Sequence, residues 1–270
     1  MLKDKIIAFM GAGSLAEAMI AGIIEGEIVV PRNILVTNRS DKERLETLQL
    51  KYGVQAINPE NLSKQNIDYL VIAMKPKDIE TALTDIKQWI HPTTVILSVI
   101  AGVKTKYIEE QIPQKQEVIR VMPNTSSMIG ESATAISPGK YVPTCKVELV
   151  KTLFTSIGQV YIVEEDQMDI FTGIAGSGPA YFYYLLEHLE KAGLEAGLDR
   201  HLAREISVQT MYGAAKMLKF TDESPKQLRE NVTSPNGTTH AGLEKLNECG
   251  GGDAIRLAAK AAAARSKEIR

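Results

Sequence analysis

The stretch KIIAFMGAGSLAEAMIA, residues 5–21, decides the reading of this chain. Ile6, Ile7, Ala8, Phe9 and Met10 form an apolar run that stops at Gly11-Ala12-Gly13, and a small-residue helical pattern follows at once. This order predicts a strand, a tight turn and a helix over 14–25. Gly11 allows the turn, and Gly13, lacking a Cβ, lets backbone N–H groups approach a pyrophosphate at the positive end of the helix. Ala16 takes the third position of the G-x-G-x-x-G/A pattern, where helix and strand still pack closely. Glycine turns of this kind also occur without a ligand, so the weight comes from the placement at the first strand of the chain.

Outward from that turn, the apolar run 33–37 ends in Asn38-Arg39-Ser40, the point where an NAD site places an acid against the ribose 2′-hydroxyl. No acid stands there before Asp41. An arginine beside two small hydrogen-bonding side chains favours a 2′-phosphate, and hence NADPH, with NADH as the alternative. Ser40 reads equally as the N-cap of a helix over 41–52. Further strands are expected over 54–57, 69–73, 95–99, 118–122, 133–137 and 160–163, with helices over 77–89, 104–111 and 144–156. Alternation of this kind implies a parallel doubly wound sheet, with ligands outside the carboxyl ends of its strands. Ala73-Met74-Lys75-Pro76, Ile100-Ala101-Gly102 and Met122-Pro123-Asn124-Thr125 fall at such ends. Lys75 reads as an electrostatic contact to a ligand or, with equal weight, as a solvated loop lysine.

Composition narrows the class. The 270 residues are 44% hydrophobic and 24% charged, enough for one large or two ordinary cores. The net charge of -2 is spread without basic clusters, which argues against nucleic acid as a partner. Cys145 and Cys249 lie far apart, and the 4 histidines form no ligand pair, so no metal is expected. Both cysteines are expected to be buried thiols of a reducing compartment. The first strand begins too early for a signal peptide, and no apolar run reaches bilayer length, so a cytoplasmic protein without a membrane partner is expected.

At Glu165 the pattern becomes helical, which sets the expected domains at 1–164 and 165–270. One long helix over 165–197 would contain Gly173, Gly176, Gly178 and Pro179, each glycine costing about 1 kcal/mol and the proline about 3. Either close helix packing in a dimer offsets that cost, or the helix is notched so that Ser177 faces a ligand. Asp199 is the expected N-cap of a second helix. Ser234-Pro235-Asn236-Gly237 then forces a turn, and a helix resumes at Thr238. Hydroxyls and free N–H groups at such a helix start suit a carboxylate, although an ordinary capped helix has the same letters. A terminal helix is expected over 253–270, and the glycine-punctuated helical surface implies at least a homodimer.

Taken together, GAGSLAEA (11–18), Asn38-Arg39-Ser40, Ala73-Met74-Lys75-Pro76, VMPNT (121–125), GSGPAY (176–181) and NVTSPNGTT (231–239) make the whole chain resemble the pyrroline-5-carboxylate reductases. Each motif alone is unspecific; their order and spacing are specific. The resemblance implies an N-terminal Rossmann domain, then a helical domain that interlocks in a dimer, with some members forming decamers of dimers. It implies reduction of 1-pyrroline-5-carboxylate to L-proline, the last step of proline biosynthesis, with NADPH or NADH. Carried onto this chain, Gly11, Ala12, Gly13, Ser14 and Leu15 would hold the pyrophosphate, and Asn38, Arg39 and Ser40 the 2′-phosphate. Asn58 would approach the adenosine, and Ala73, Met74, Lys75 and Pro76 would line the dinucleotide. Ser234 and the N–H groups of Thr238 and Thr239, around Gly237, would take the substrate carboxylate, with the Thr239 hydroxyl near the ring nitrogen. Ser234 and Thr239 are thus the catalytic candidates, with Asn124 and Ser177 lining the substrate. The family often has SPGG and MPNTP where Asn236 and Ser126 stand here; Asn reaches the left-handed region, so the turn should survive.

Two rivals remain at this level. A β-hydroxyacid dehydrogenase-like NADP oxidoreductase shares the two-domain plan, but relies on a lysine followed four residues later by asparagine, where this chain has Lys191 and Glu195. A non-catalytic NADP-binding regulator would keep the glycine loop and have no use for Ser234 and Thr239.

Overall fold

The computed structural model describes residues 2–112 and 115–268. Its chain packs as two compact units, residues 2–177 with 261–268 and residues 178–260. The first unit begins β1 (Ile7–Met10), α1 (Ser14–Glu25), β2 (Ile34–Thr37), α2 (Lys42–Tyr52), β3 (Gln55–Ala56), β4 (Tyr69–Ile72) and α3 (Ile79–Ile86). It continues through β5 (Val95–Ser98), α4 (Thr105–Gln111), β6 (Glu117–Met122), β7 (Ser132–Pro138), α5 (Thr144–Thr155), β8 (Gly158–Ile162) and α6 (Met168–Phe171). The eight strands form one sheet in the order β3-β2-β1-β4-β5-β6-β7-β8.

Strand alternation explains why helices cover both faces. Ile7, Phe9, Ile34, Val36, Val71 and Leu97 point to one side, where they pack with Met19, Ile20 and Ile23 of α1 and Val150, Leu153 and Phe154 of α5. Ala8, Leu35, Leu70, Ile72 and Ile96 point to the other, against Ile79, Leu83 and Ile86 of α3 and Ile108 of α4. Strands buried on both faces read as continuous apolar runs, as these do. The Rossmann-type sheet expected from the alternation is therefore present.

One pairing departs from the parallel expectation. β6 and β7 run antiparallel, with Val121 opposite Ile136, while the other strand pairs are parallel. Only residues 123–131 separate them, including the 3-10 turn Thr125–Ile129, which is too short for a crossover helix of about a dozen residues.

Arg120 is the most unusual core residue. It lies in β6 at 1% exposure, with Glu165 at 3.6 Å and Asp169 at 3.7 Å. Glu165 accepts bonds from the Thr105 N–H and hydroxyl, and Asp169 accepts one from Ser266 at 2.8 Å. A buried guanidinium needs such partners, because an unpaired charge is costly to desolvate.

Two smaller expectations are corrected. Asp41, not Ser40, caps α2, its carboxylate accepting the Arg44 N–H at 2.9 Å. Cys145 and Cys249 are exposed rather than buried. Cys145 lies on the first turn of α5, off the face that buries Val147, Val150, Leu153 and Phe154, and Cys249 ends a surface helix.

After α6 the backbone widens into a π-helical turn, Thr172–Gly176, closed by a bond from the Ser177 N–H to the Thr172 carbonyl at 2.8 Å. The expected long helix is thus interrupted at its glycines, and Pro179 falls on the first turn of the next helix, where a missing N–H costs nothing. The second unit holds α7 (Gly178–Glu195), α8 (Arg200–Phe220), α9 (Pro225–Asn231), α10 (Thr238–Glu248) and most of α11 (Gly251–Glu268), whose last residues belong to the first unit. Asp199 caps α8 as expected, accepting from the His201 and Leu202 N–H groups. The terminal helix starts two residues before its expected onset, and the final two residues expected in it lie outside the described ones. Phe182, Tyr184, Leu185, Ile206, Tyr212 and Phe220 remain exposed in this unit, more apolar surface than a monomer ordinarily shows water. Among the described residues no helix is long and apolar enough to cross a membrane, and no His, Cys, Asp or Glu cluster could hold a metal.

Candidate active site

Strand order reverses between the parallel neighbours β1 and β4: from β1 the chain proceeds outward to β2 and β3, from β4 outward to β5 and β6 on the other side, and such a switch point is where open α/β sheets bind ligands. The residues expected to contact the dinucleotide gather there. Gly11 follows β1 directly, with φ +119, in the region that side chains rarely enter. A Cβ on it would lie 2.4 Å from the Ala73 carbonyl oxygen, so the two strand ends meet only because residue 11 is glycine. Gly13 differs. It is the N-cap of α1 in extended geometry, no side chain caps the helix, and nothing lies within 4 Å of where a Cβ would stand. The first-turn N–H groups, Ser14 and Leu15 among them, are left without a capping side chain above open space, which fits an anionic pyrophosphate.

Side chains and backbone divide the work in this unit. Leu15 and Ala73 pack onto one core face and Met74 onto the other, leaving their main chains to line the crevice. Lys75 is exposed at the start of the 3-10 turn Pro76–Asp78. At the end of β2, Asn38 accepts the Ser40 N–H at 3.3 Å, and the exposed Arg39 guanidinium stands 3.9 Å from Asp78. Asn58 begins the 3-10 turn Pro59–Lys64 after β3, accepting the Asn61 N–H on its carbonyl at 2.9 Å. Asn124, at the end of β6, is engaged through both side-chain polar atoms: its amide donates to the Ala175 carbonyl at 3.0 Å and its oxygen accepts the Ser126 N–H at 3.1 Å. It thereby ties the strand end to the π turn that precedes Ser177.

Beneath the glycine loop lies a cluster that sequence reasoning missed. Glu17 of α1 pairs with Arg44, with Lys51 at 3.0 Å and with the Tyr52 hydroxyl at 2.9 Å. The Arg44 bond, above the other contacts, holds the Glu17 carboxyl down at about 2. Arg44 also donates from Nε to the Ala12 carbonyl at 2.9 Å. The i, i+34 spacing of Glu17 and Lys51 carries no local signal, which is why the sequence conceals the cluster.

In the second unit, Ser234-Pro235-Asn236-Gly237 closes as a turn with the Gly237 N–H donating to the Ser234 carbonyl at 3.0 Å. Asn236 has φ +58, so it takes the left-handed position where the resembled family often has glycine. Proline second and a left-handed residue third is the type II pattern. Gly237 is the N-cap of α10 and no side chain caps that helix. Ser234 and Thr238 are exposed and Thr239 is half-buried beside the uncapped N–H groups. An uncapped helix start next to hydroxyls can hold a carboxylate and orient a ring nitrogen.

Known proteins resemble this chain over its whole length. Residues 165–269 match the family model for pyrroline-5-carboxylate reductase dimerisation, and residues 6–102 match the one for coenzyme F420-dependent NADP oxidoreductases. Pyrroline-5-carboxylate reductase 1 of Bacillus spizizenii is 56% identical over 98% of this chain and 90% of its own. Among solved structures, a Plasmodium falciparum pyrroline carboxylate reductase with NADP bound superposes with a TM-score of 0.90, at 29% identity, over 100% of this chain and 99% of that one. A pyrroline-5-carboxylate reductase of Coxiella burnetii has a TM-score of 0.90 at 32% identity, over 98% of each chain. With its sheet, its helical region and its length all accounted for by these relatives, the chain belongs to the pyrroline-5-carboxylate reductase family.

Proposed function

We propose that this chain reduces the C=N bond of 1-pyrroline-5-carboxylate to give L-proline, as a cytoplasmic enzyme of proline biosynthesis. The carrying observation is that two helices, α1 and α10, begin at uncapped glycines suited to anions, in a chain that matches reductases along its whole length. The functional division we assign is a dinucleotide domain over 1–164 and a substrate and dimerisation domain over 165–270.

Gly11, Ala12, Gly13, Ser14 and Leu15 would hold the pyrophosphate through backbone N–H groups, and Asn38, Arg39 and Ser40 the 2′-phosphate. Asn58 would flank the adenosine, and Ala73, Met74, Lys75 and Pro76 the rest of the dinucleotide. NADPH, in preference to NADH, supplies the hydride. The absence of an acid before Asp41 supports that preference. Ser234 and the N–H groups of Thr238 and Thr239 take the substrate carboxylate, with Gly237 keeping the approach open. The Thr239 hydroxyl orients the ring nitrogen and relays its proton, while Asn124 and Ser177 shape the wall of the pocket. No histidine or cysteine is required, since a cyclic imine can arrive protonated and positioning supplies most of the rate. The exposed apolar surface of the helical unit supports a homodimer, whose dimers we expect to assemble further into decamers.

The test is NADPH oxidation followed with pyrroline-5-carboxylate, repeated with NADH. Turnover with the imine, faster with NADPH, is expected. Tight NADPH binding without imine turnover would instead identify a dinucleotide-binding regulator.

A further inference from the structure

Glycine loops are permissive by construction, and the peptide between Ala12 and Gly13 has glycine on both sides of it, at positions 11 and 13. Something must hold that peptide in one orientation if its N–H is to meet a ligand without an ordering cost. Arg44 is the only side chain seen to bond the loop's backbone among the described residues. Its Nε donates to the Ala12 carbonyl at 2.9 Å, and its Nη2 pairs with Glu17. Its own N–H is fixed by Asp41 at 2.9 Å, and Glu17 is in turn held by Lys51 and Tyr52. The brace is therefore anchored at both ends.

A trans peptide is a rigid plane in which C=O and N–H point in opposite directions, and no described peptide bond is cis. Drawing the Ala12 carbonyl toward Arg44 consequently turns the Gly13 N–H the other way. We propose that Arg44 is a positioning residue of the dinucleotide site, its Nε–H locking the Ala12–Gly13 peptide so that the Gly13 N–H is presented to the pyrophosphate. The inference rests on the dinucleotide reading given above. Glu17 fits the same arrangement: an acid on the first turn of α1 would repel an anion, but here its charge is taken up by the brace.

The donor can be separated from the charge. In Arg44→Gln the side-chain amide nitrogen sits the same number of bonds from the backbone as Nε, whereas Arg44→Met places a methyl there; both lose the guanidinium charge. Dissociation constants for NADPH and NADH are measured by fluorescence titration, with thermal midpoints taken without dinucleotide. Arg44→Met should weaken both dinucleotides about tenfold, the cost of ordering the backbone of about one freed residue on binding. Arg44→Gln should recover most of that loss, and kcat at saturating dinucleotide should change less than twofold in either variant. Should the midpoint show Arg44→Met unfolded, Arg44→Ala carries the same expectation. Unaltered affinity in Arg44→Met, equal weakening in both variants, or a loss confined to NADPH would each overturn the proposal, the last by making Arg44 a reader of the 2′-phosphate. If the unsubstituted chain binds neither dinucleotide, the cofactor reading itself falls.

Discussion

The glycine loop after β1 and the Ser234–Gly237 turn before α10 present the same chemistry, an uncapped helix start behind a glycine, yet they are built differently. The first is fixed from all sides: Gly11 against Ala73, Ala12 on Arg44, and α1 packed into a core face. The second is set almost wholly by its own turn, with Ser234, Pro235 and Asn236 exposed, in a unit whose helices α7 and α8 carry exposed apolar side chains. On the proposed assignment the dinucleotide would meet a preformed cradle, whereas the proposed substrate loop has its local shape but little around it.

The largest effect expected from disturbing the comparison lies on the rigid side. Asp169→Ala leaves Arg120 with a weakened set of buried partners and should lower unfolding free energy by about 3 kcal/mol, read by urea denaturation at fixed protein concentration. An unchanged midpoint would show that Glu165 alone suffices. On the other side, Thr239→Ala should reduce kcat about a hundredfold with little change in NADPH affinity, as loss of a proton-handling hydroxyl does. Equal turnover would remove Thr239 from the chemistry.

Smaller effects sharpen the contrast between shape and stability. Gly13→Ala meets no protein atom within 4 Å, so its thermal midpoint should stay within a few degrees, while dinucleotide affinity drops about tenfold because the Cβ enters the approach to the N–H groups. If affinity is unaffected, the pyrophosphate does not lie over Gly13. The mildest effect concerns acid. Glu17 titrates near 2 when folded against an ordinary 4.5, so its stabilising charge is complete above about 4.5 and is lost as pH falls toward 2. Glu17→Gln should flatten the stability profile between those values, and identical profiles would mean that the Arg44 cluster adds nothing to the fold.

Local chemistry was legible and long-range pairing was not. The bounds of α1 could be read from GAGS because glycine, then a small-residue helical pattern, is a strand–turn–helix signal by itself. The left-handed Asn236 followed from its standing where the resembled family often has glycine. The antiparallel β7 stayed hidden, since the letters of Ser132–Pro138 carry no sign of strand direction and only the short connection distinguishes it. Ser40 and Asp41 compete for the same cap, and the choice depends on which carboxylate or hydroxyl reaches the Arg44 N–H. Arg120 sits in an apolar run whose countercharges arrive 45 and 49 residues later, beyond the reach of any periodicity. Arg44 is concealed in the same way, its partner carbonyl lying in the loop 32 residues before it.

The two exposed cysteines, which composition alone had suggested were buried, have a practical consequence. Cys145 belongs to the first unit and Cys249 to the second, and the chain has no others. The natural sequence therefore carries one thiol-reactive labelling position on each unit, so that a pair of spectroscopic probes can follow the separation of the two in solution, with and without dinucleotide, on an otherwise unaltered protein.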